Sequence, residues 1–107
     1  MSELFEIDRL LTEQAQSNRS YLEFLRVPAM SAGIYTLPSG GVDLQKPHDQ
    51  DEIYFVISGG AKMRLGTEER SVVKGNVIFV EAGLEHQFFD LEEELVLLVV
   101  FAPAEQG

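Results

Sequence analysis

Beyond Ser20 every apolar segment is short and is cut off by glycine, proline or acidic turn residues, a cadence that leaves little room for anything but short strands. Pro38-Ser39-Gly40-Gly41, Ser58-Gly59-Gly60, Gly66-Thr67-Glu68-Glu69 and Lys74-Gly75-Asn76 supply tight-turn residues at close intervals. That spacing predicts an antiparallel sandwich or barrel. The strands expected between the turns are 21–27, 29–37, 42–47, 53–57, 61–65, 70–73, 77–80, 87–89 and 95–101. The last of these, Leu95 to Phe101, shows no alternation, so it is either covered on both faces or meets a helix or a second subunit with its outer face. A homodimer is the expectation that follows.

The first twenty residues behave differently. Leu4, Ile7, Leu11 and Ala15 fall at helical spacing, Phe5 and Leu10 widen the stripe, and Glu3 and Glu6 sit where a helix N-terminus favours acid. The fold class expected is therefore all-β with a short N-terminal α-helix: a helical extension over 1–20 and a β domain, sandwich or barrel, over 21–107.

Charge and residue usage narrow the function. The 107 residues are 45% hydrophobic, enough for one compact core. Eighteen acidic side chains against eight basic ones give a net charge of −10, which repels phosphate backbones and anionic membranes, so nucleic acid is not an expected partner. The longest apolar run, Leu95 to Ala102, is eight residues, far short of the roughly 20 that span a bilayer as a helix. The segment Met1-Ser2-Glu3-Leu4-Phe5-Glu6 has no basic flank followed by an apolar run, and a cytoplasmic location is expected. With no cysteine present, a metal would be held by nitrogen and oxygen.

There are two histidines, each beside turn residues. Along a straight strand His48 and Glu52 would stand about 13 Å apart, too far to share an ion. A turn at Asp49-Gln50-Asp51 would let His48 end one strand and Glu52 begin its antiparallel neighbour, with both side chains on one face. From Glu52 the period of two then points Tyr54 and Val56 inward, and Ile53, Phe55 and Ile57 outward. Phe88 shares the parity of His86 and is expected to form an apolar wall.

Two separate segments resemble the cupin family. The first family pattern is glycine, five residues, histidine, one residue, histidine, three or four residues, glutamate, six residues, glycine; Gly40, Lys46, His48, Glu52 and Gly59 keep every interval. The second is glycine, five residues, proline, one residue, glycine, two residues, histidine, three residues, asparagine; Gly75, Glu81, Gly83, His86 and Asp90 keep every interval. Lys46, Glu81 and Asp90 depart from the family residues. The resemblance implies a double-stranded β-helix, or jelly-roll, barrel and a reduced ligand set of His48, Glu52 and His86 for one divalent metal ion: iron, manganese, nickel or zinc. Two imidazoles and a carboxylate leave coordination positions open for water, substrate or dioxygen.

A small organic ligand or substrate is thus expected, with Tyr54 and Lys46 as candidate orienting or catalytic groups. Protonated Lys46 cannot be a ligand, and it is read either as a solvent-reaching residue or as a clamp for a substrate carboxylate. Dioxygenase and isomerase chemistry are both common in the family. The alternative is a non-catalytic barrel that binds or senses a small molecule, with a structural metal or none.

Overall fold

The computed structural model describes residues 2–43 and 46–105. Among them are one helix, α1 (Ile7–Ser17), and eight strands: β1 (Tyr21–Val27), β2 (Met30–Leu37), β3 (Asp51–Ser58), β4 (Gly60–Leu65), β5 (Glu68–Val73), β6 (Val77–Val80), β7 (His86–Phe89) and β8 (Leu95–Ala102). They form a five-stranded sheet in the order β1-β2-β8-β3-β6 and a three-stranded sheet in the order β5-β4-β7. Every pairing is antiparallel. The two inner faces close on one apolar core that includes Tyr54, Val56, Met63, Phe88, Leu97, Val99 and Phe101.

Gly59 marks the passage from one sheet to the other. It adopts a positive φ of 82°, and a Cβ there would fall 1.9 Å from the Glu94 carbonyl oxygen, so only glycine fits. The chain can then leave β3 and enter β4 without breaking the core.

The apolar run of β8 is resolved by what lies on each side. Leu95, Leu97, Val99 and Phe101 face the barrel interior, while Val96 and Leu98 face outward into a second cluster with Ile7, Leu10 and Leu11 of α1. The helix, not a second subunit, covers this part of the strand.

Three expectations need correction. The helix begins at Ile7 rather than Leu4, because Glu6 is extended (φ −105°, ψ 123°), and it ends at Asn18, which turns left-handed (φ 60°). Leu10 and Gln14 are its buried residues, with Ile7 and Leu11 partly buried beside them; of the expected stripe, Leu4 and Ala15 are exposed. Gln14 earns its buried place by hydrogen bonding. Its Nε2 donates to the carbonyls of Ser20 and Ile34 at 2.8 and 3.2 Å, and its Oε1 accepts from the Thr36 hydroxyl at 2.8 Å, tying α1 to β2.

The second correction concerns the strand expected over 42–47. Leu44 and Gln45 lie outside the described residues; Val42, Asp43, Lys46 and Pro47 are not in a strand. Side-chain bonds replace the ladder there. The buried Asp43 carboxylate accepts the Phe88 N–H at 2.9 Å and the Tyr35 hydroxyl at 3.0 Å, its carbonyl accepts from Gln87 Nε2 at 3.0 Å, and Pro47 has no N–H to give.

The third concerns the hairpin expected between His48 and Glu52. Both neighbours of Glu52 are already taken: it pairs with Phe101 of β8 and Val80 of β6. His48 instead lies on a non-strand segment, where its carbonyl accepts the Gly83 N–H at 2.7 Å and the Asp51 carboxylate accepts the Ala82 N–H at 2.9 Å. The chain bends at Asp49 and Gln50, and the residues on either side of the bend are held by Ala82 and Gly83, ahead of β7.

Candidate metal centre

Strand parity delivers the first member of the site. In β3, Glu52, Tyr54 and Val56 are buried while Ile53 and Phe55 are exposed, the alternation expected from the sequence. In β7, His86 and Phe88 are buried on the same face, and Phe88 packs edge-on against Tyr54 with ring centroids 5.1 Å apart. Phe88 is the apolar wall its parity implied.

These placements bring Nε2 of His86 to 2.9 Å from Oε1 of Glu52, with both side chains 1% exposed. The Tyr54 hydroxyl lies 3.1 Å from the same Nε2, and Nδ1 of His86 is 2.9 Å from the Leu84 carbonyl, which fixes the ring. Burial drives the His86 pKa down, but the hydrogen bonds to Glu52 and to the Leu84 carbonyl outweigh it and the net direction is upward. In this arrangement His86 and Glu52 form a buried, closely paired imidazole and carboxyl group.

His48 completes the group. Its ring centroid is 5.9 Å from that of His86 and 4.9 Å from that of Phe101, and its Nδ1 lies 3.8 Å from the carboxylate of Glu105. One donor atom each from His48, Glu52 and His86 falls within 4.8 Å of the others. Nε2 of His48 and Oε2 of Glu52 are buried without a hydrogen-bond partner among the described residues. Buried polar atoms are rarely left unpaired, and two imidazole nitrogens with a carboxylate oxygen suit a divalent ion such as zinc or iron. The donor set and its two orphaned atoms fit a metal.

Beside His48 lies a cavity of about 170 Å³ lined by Tyr21, Tyr35, His48, Val99, Phe101 and Glu105. Its lining is aromatic and apolar apart from His48, Glu105 and the tyrosine hydroxyls. Lys46 is brought elsewhere. It is exposed and lines a separate cleft with Pro47, Arg64, Glu85, His86 and Gln87, not the cavity beside His48.

Sequence reasoning did not find Tyr21, Tyr35, Asp43 or Glu105. Parity could have turned Tyr21 and Tyr35 inward, but nothing in the pattern joins the two ends of the chain. Glu105 reaches the site because its N–H donates to the Ser31 hydroxyl at 2.9 Å and its carbonyl accepts from the Arg26 guanidinium, contacts that span more than seventy residues.

Comparison with known proteins agrees with this architecture. The model of the cupin domain family matches residues 33–101, which spans both segments that carry His48, Glu52 and His86. The chain is a cupin. An uncharacterized protein of Streptomyces coelicolor is 48% identical to it over 101 residues, covering 94% of this chain and 96% of that one. Among solved structures, TT1209 from Thermus thermophilus superposes with a TM-score of 0.77 at 24% identity, covering 96% of this cupin and 99% of that chain. BH2720 from Bacillus halodurans gives 0.80 at 15% identity, covering 98% and 85%. At these identities the two structures speak for the jelly-roll fold alone. No helix among the described residues of this cupin is long and apolar enough to cross a membrane.

Proposed function

We propose that this cupin holds one divalent metal ion through Nε2 of His48, the carboxylate of Glu52 and Nε2 of His86, and uses the positions left open on it to engage a small organic molecule. The observation that carries this reading is the convergence of three donor atoms within 4.8 Å, two from residues with a buried, unpartnered atom. Iron, manganese, nickel and zinc all accept such a nitrogen and oxygen set. When bound, such an ion supplies Lewis acidity or, if redox-active, a site for dioxygen, so that isomerase and dioxygenase reactions both fall within reach.

The chain's own groups have definable parts in this. The Leu84 carbonyl accepts from Nδ1 of His86, leaving Nε2 to face the centre. The Glu105 carboxylate stands 3.8 Å from Nδ1 of His48, a separation that leaves that ring without the hydrogen bond that fixes His86. The Tyr54 hydroxyl is positioned to hold a proton beside His86, while Phe88 and Phe101 keep water from the buried side. Metal analysis of untagged protein tests the reading. About one equivalent after incubation with iron, manganese, nickel or zinc is expected; less than about a tenth of an equivalent with each would end it.

A non-catalytic binding barrel is the second reading, and one observation favours it. Oε1 of Glu52 and Nε2 of His86 already meet at 2.9 Å, so β3 and β7 are linked across the barrel interior before any ion binds. We further propose that two copies associate through Ile53 and Phe55 of β3 and Val77 and Phe79 of β6, whose cross-strand pairs leave an exposed apolar ladder on the outer face beyond α1.

A further inference from the structure

Gly33 lies on the inner face of β2, between Ser31 and Tyr35, and the ring of Tyr21 from the edge strand β1 is folded across it. A Cβ at Gly33 would come within 2.4 Å of Cζ, 2.5 Å of Cε1 and 2.5 Å of the hydroxyl oxygen of Tyr21. The absence of a side chain at this one position is what lets an edge-strand tyrosine lie over the middle of the inner face, toward Val99, the β8 partner of Gly33. Tyr35 and Phe101 flank the ring edge-on, each with its centroid 6.4 Å away. Together they wall the cavity beside His48.

The Tyr21 hydroxyl is buried and has no hydrogen-bond partner among the described residues. Burial first, and then the nearby Glu23 and Glu105 carboxylates, push its pKa upward, so it stays protonated and able to donate. A buried donor without an acceptor is costly to leave in place, and one that persists in a fold calls for a partner from outside the chain. The cavity measures about 170 Å³, and an apolar cavity of about 150 Å³ is enough for one benzene ring. Glu105 contributes a carboxylate to the same wall, which disfavours an anionic guest.

We propose that Tyr21, laid across Gly33, sets the size and polarity of the substrate chamber, so that this cupin takes an uncharged molecule of about one ring, with an acceptor oxygen for the Tyr21 hydroxyl. The inference rests on the reading of His48, Glu52 and His86 as the reacting centre, since the chamber adjoins it through His48.

Calorimetric titration of the metal-loaded protein with benzamide and with 2-naphthamide tests it. Benzamide binds one to one and 2-naphthamide does not; Tyr21→Ala, by removing the wall, admits 2-naphthamide. Tyr21→Phe keeps the ring, weakens benzamide about tenfold, and raises the Tm of the ligand-free protein because an unpaired hydroxyl is gone. Equal binding of both amides by the wild-type chain, exclusion of 2-naphthamide by a folded Tyr21→Ala, unchanged benzamide affinity in Tyr21→Phe, or tighter binding of benzoate than benzamide would each overturn the proposal. Metal content is measured on every sample. Loss of metal with the Tyr21 pattern retained counts against the metal centre alone, whereas full metal with no benzamide binding counts against the chamber alone.

Discussion

Nε2 of His86 and Oε1 of Glu52 meet at 2.9 Å inside the barrel, each side chain almost wholly removed from solvent. The pair joins β7 of the smaller sheet to β3 of the larger one, so it links the two halves of the fold as well as two donors of the proposed centre. Removing one partner of a buried hydrogen-bonded pair leaves the other polar group unsatisfied, at roughly 1–3 kcal/mol and more where that group is charged. His86→Ala should therefore abolish metal uptake and lower unfolding stability by about that amount, while Glu52→Gln, which keeps shape and some hydrogen bonding, abolishes uptake at a smaller cost. Urea unfolding with metal analysis on the same samples checks both; a variant that keeps its metal would remove that residue from the ligand set.

The same pair gives the metal-free protein a pH dependence. Because the folded-state pKa of His86 is raised above the ordinary imidazole value of 6.5, the pair's contribution to stability is complete below that value and is lost as pH rises through the raised one. Metal uptake runs the other way, since a ligand nitrogen must first lose its proton. Urea midpoints measured with a chelator from pH 5 to 9 should fall with rising pH, and the fall should vanish in Glu52→Gln. A slope that persists in that variant would assign the dependence to other groups.

Much of this was legible in the residues themselves. Turn chemistry and the intervals around Gly59 and Gly83 led to the barrel, and a period of two from Glu52 placed Tyr54 and Val56 inside. What the sequence hid were contacts without periodicity. Gln14 is buried in a helix stripe that reads as apolar, Asp43 replaces a strand with hydrogen bonds to Tyr35, Gln87 and Phe88, and Glu105 crosses from the far end of the chain to face His48. The route by which His48 reaches Glu52 is hidden for the same reason: a local turn is the nearest explanation from sequence, but both edges of β3 are occupied by β6 and β8.

Lys46 stands at the family's first histidine position, yet it is exposed and opens onto the cleft it shares with Arg64 and Glu85. Lys46→Ala should leave metal stoichiometry unchanged and alter stability by less than about 0.5 kcal/mol, as is usual for exposed positions. A change in metal affinity of tenfold or more would bring Lys46 into the centre after all.

Phe79 is 61% exposed on the edge strand β6, opposite Ile53 of β3. If the apolar ladder is a self-association face, light scattering gives the mass of a dimer for the wild-type chain and of a monomer for Phe79→Glu, whose charge could not be buried against a second copy. A monomeric wild type would dismiss the dimer.

The proposed centre is tested most directly by anomalous diffraction at the absorption edge of zinc or iron, recorded on crystals of the loaded protein. The expected peak lies roughly 2.0–2.2 Å from Nε2 of His48, a carboxylate oxygen of Glu52 and Nε2 of His86, with the His86–Glu52 hydrogen bond replaced. A peak at any other place, or none while that hydrogen bond persists, would contradict the account.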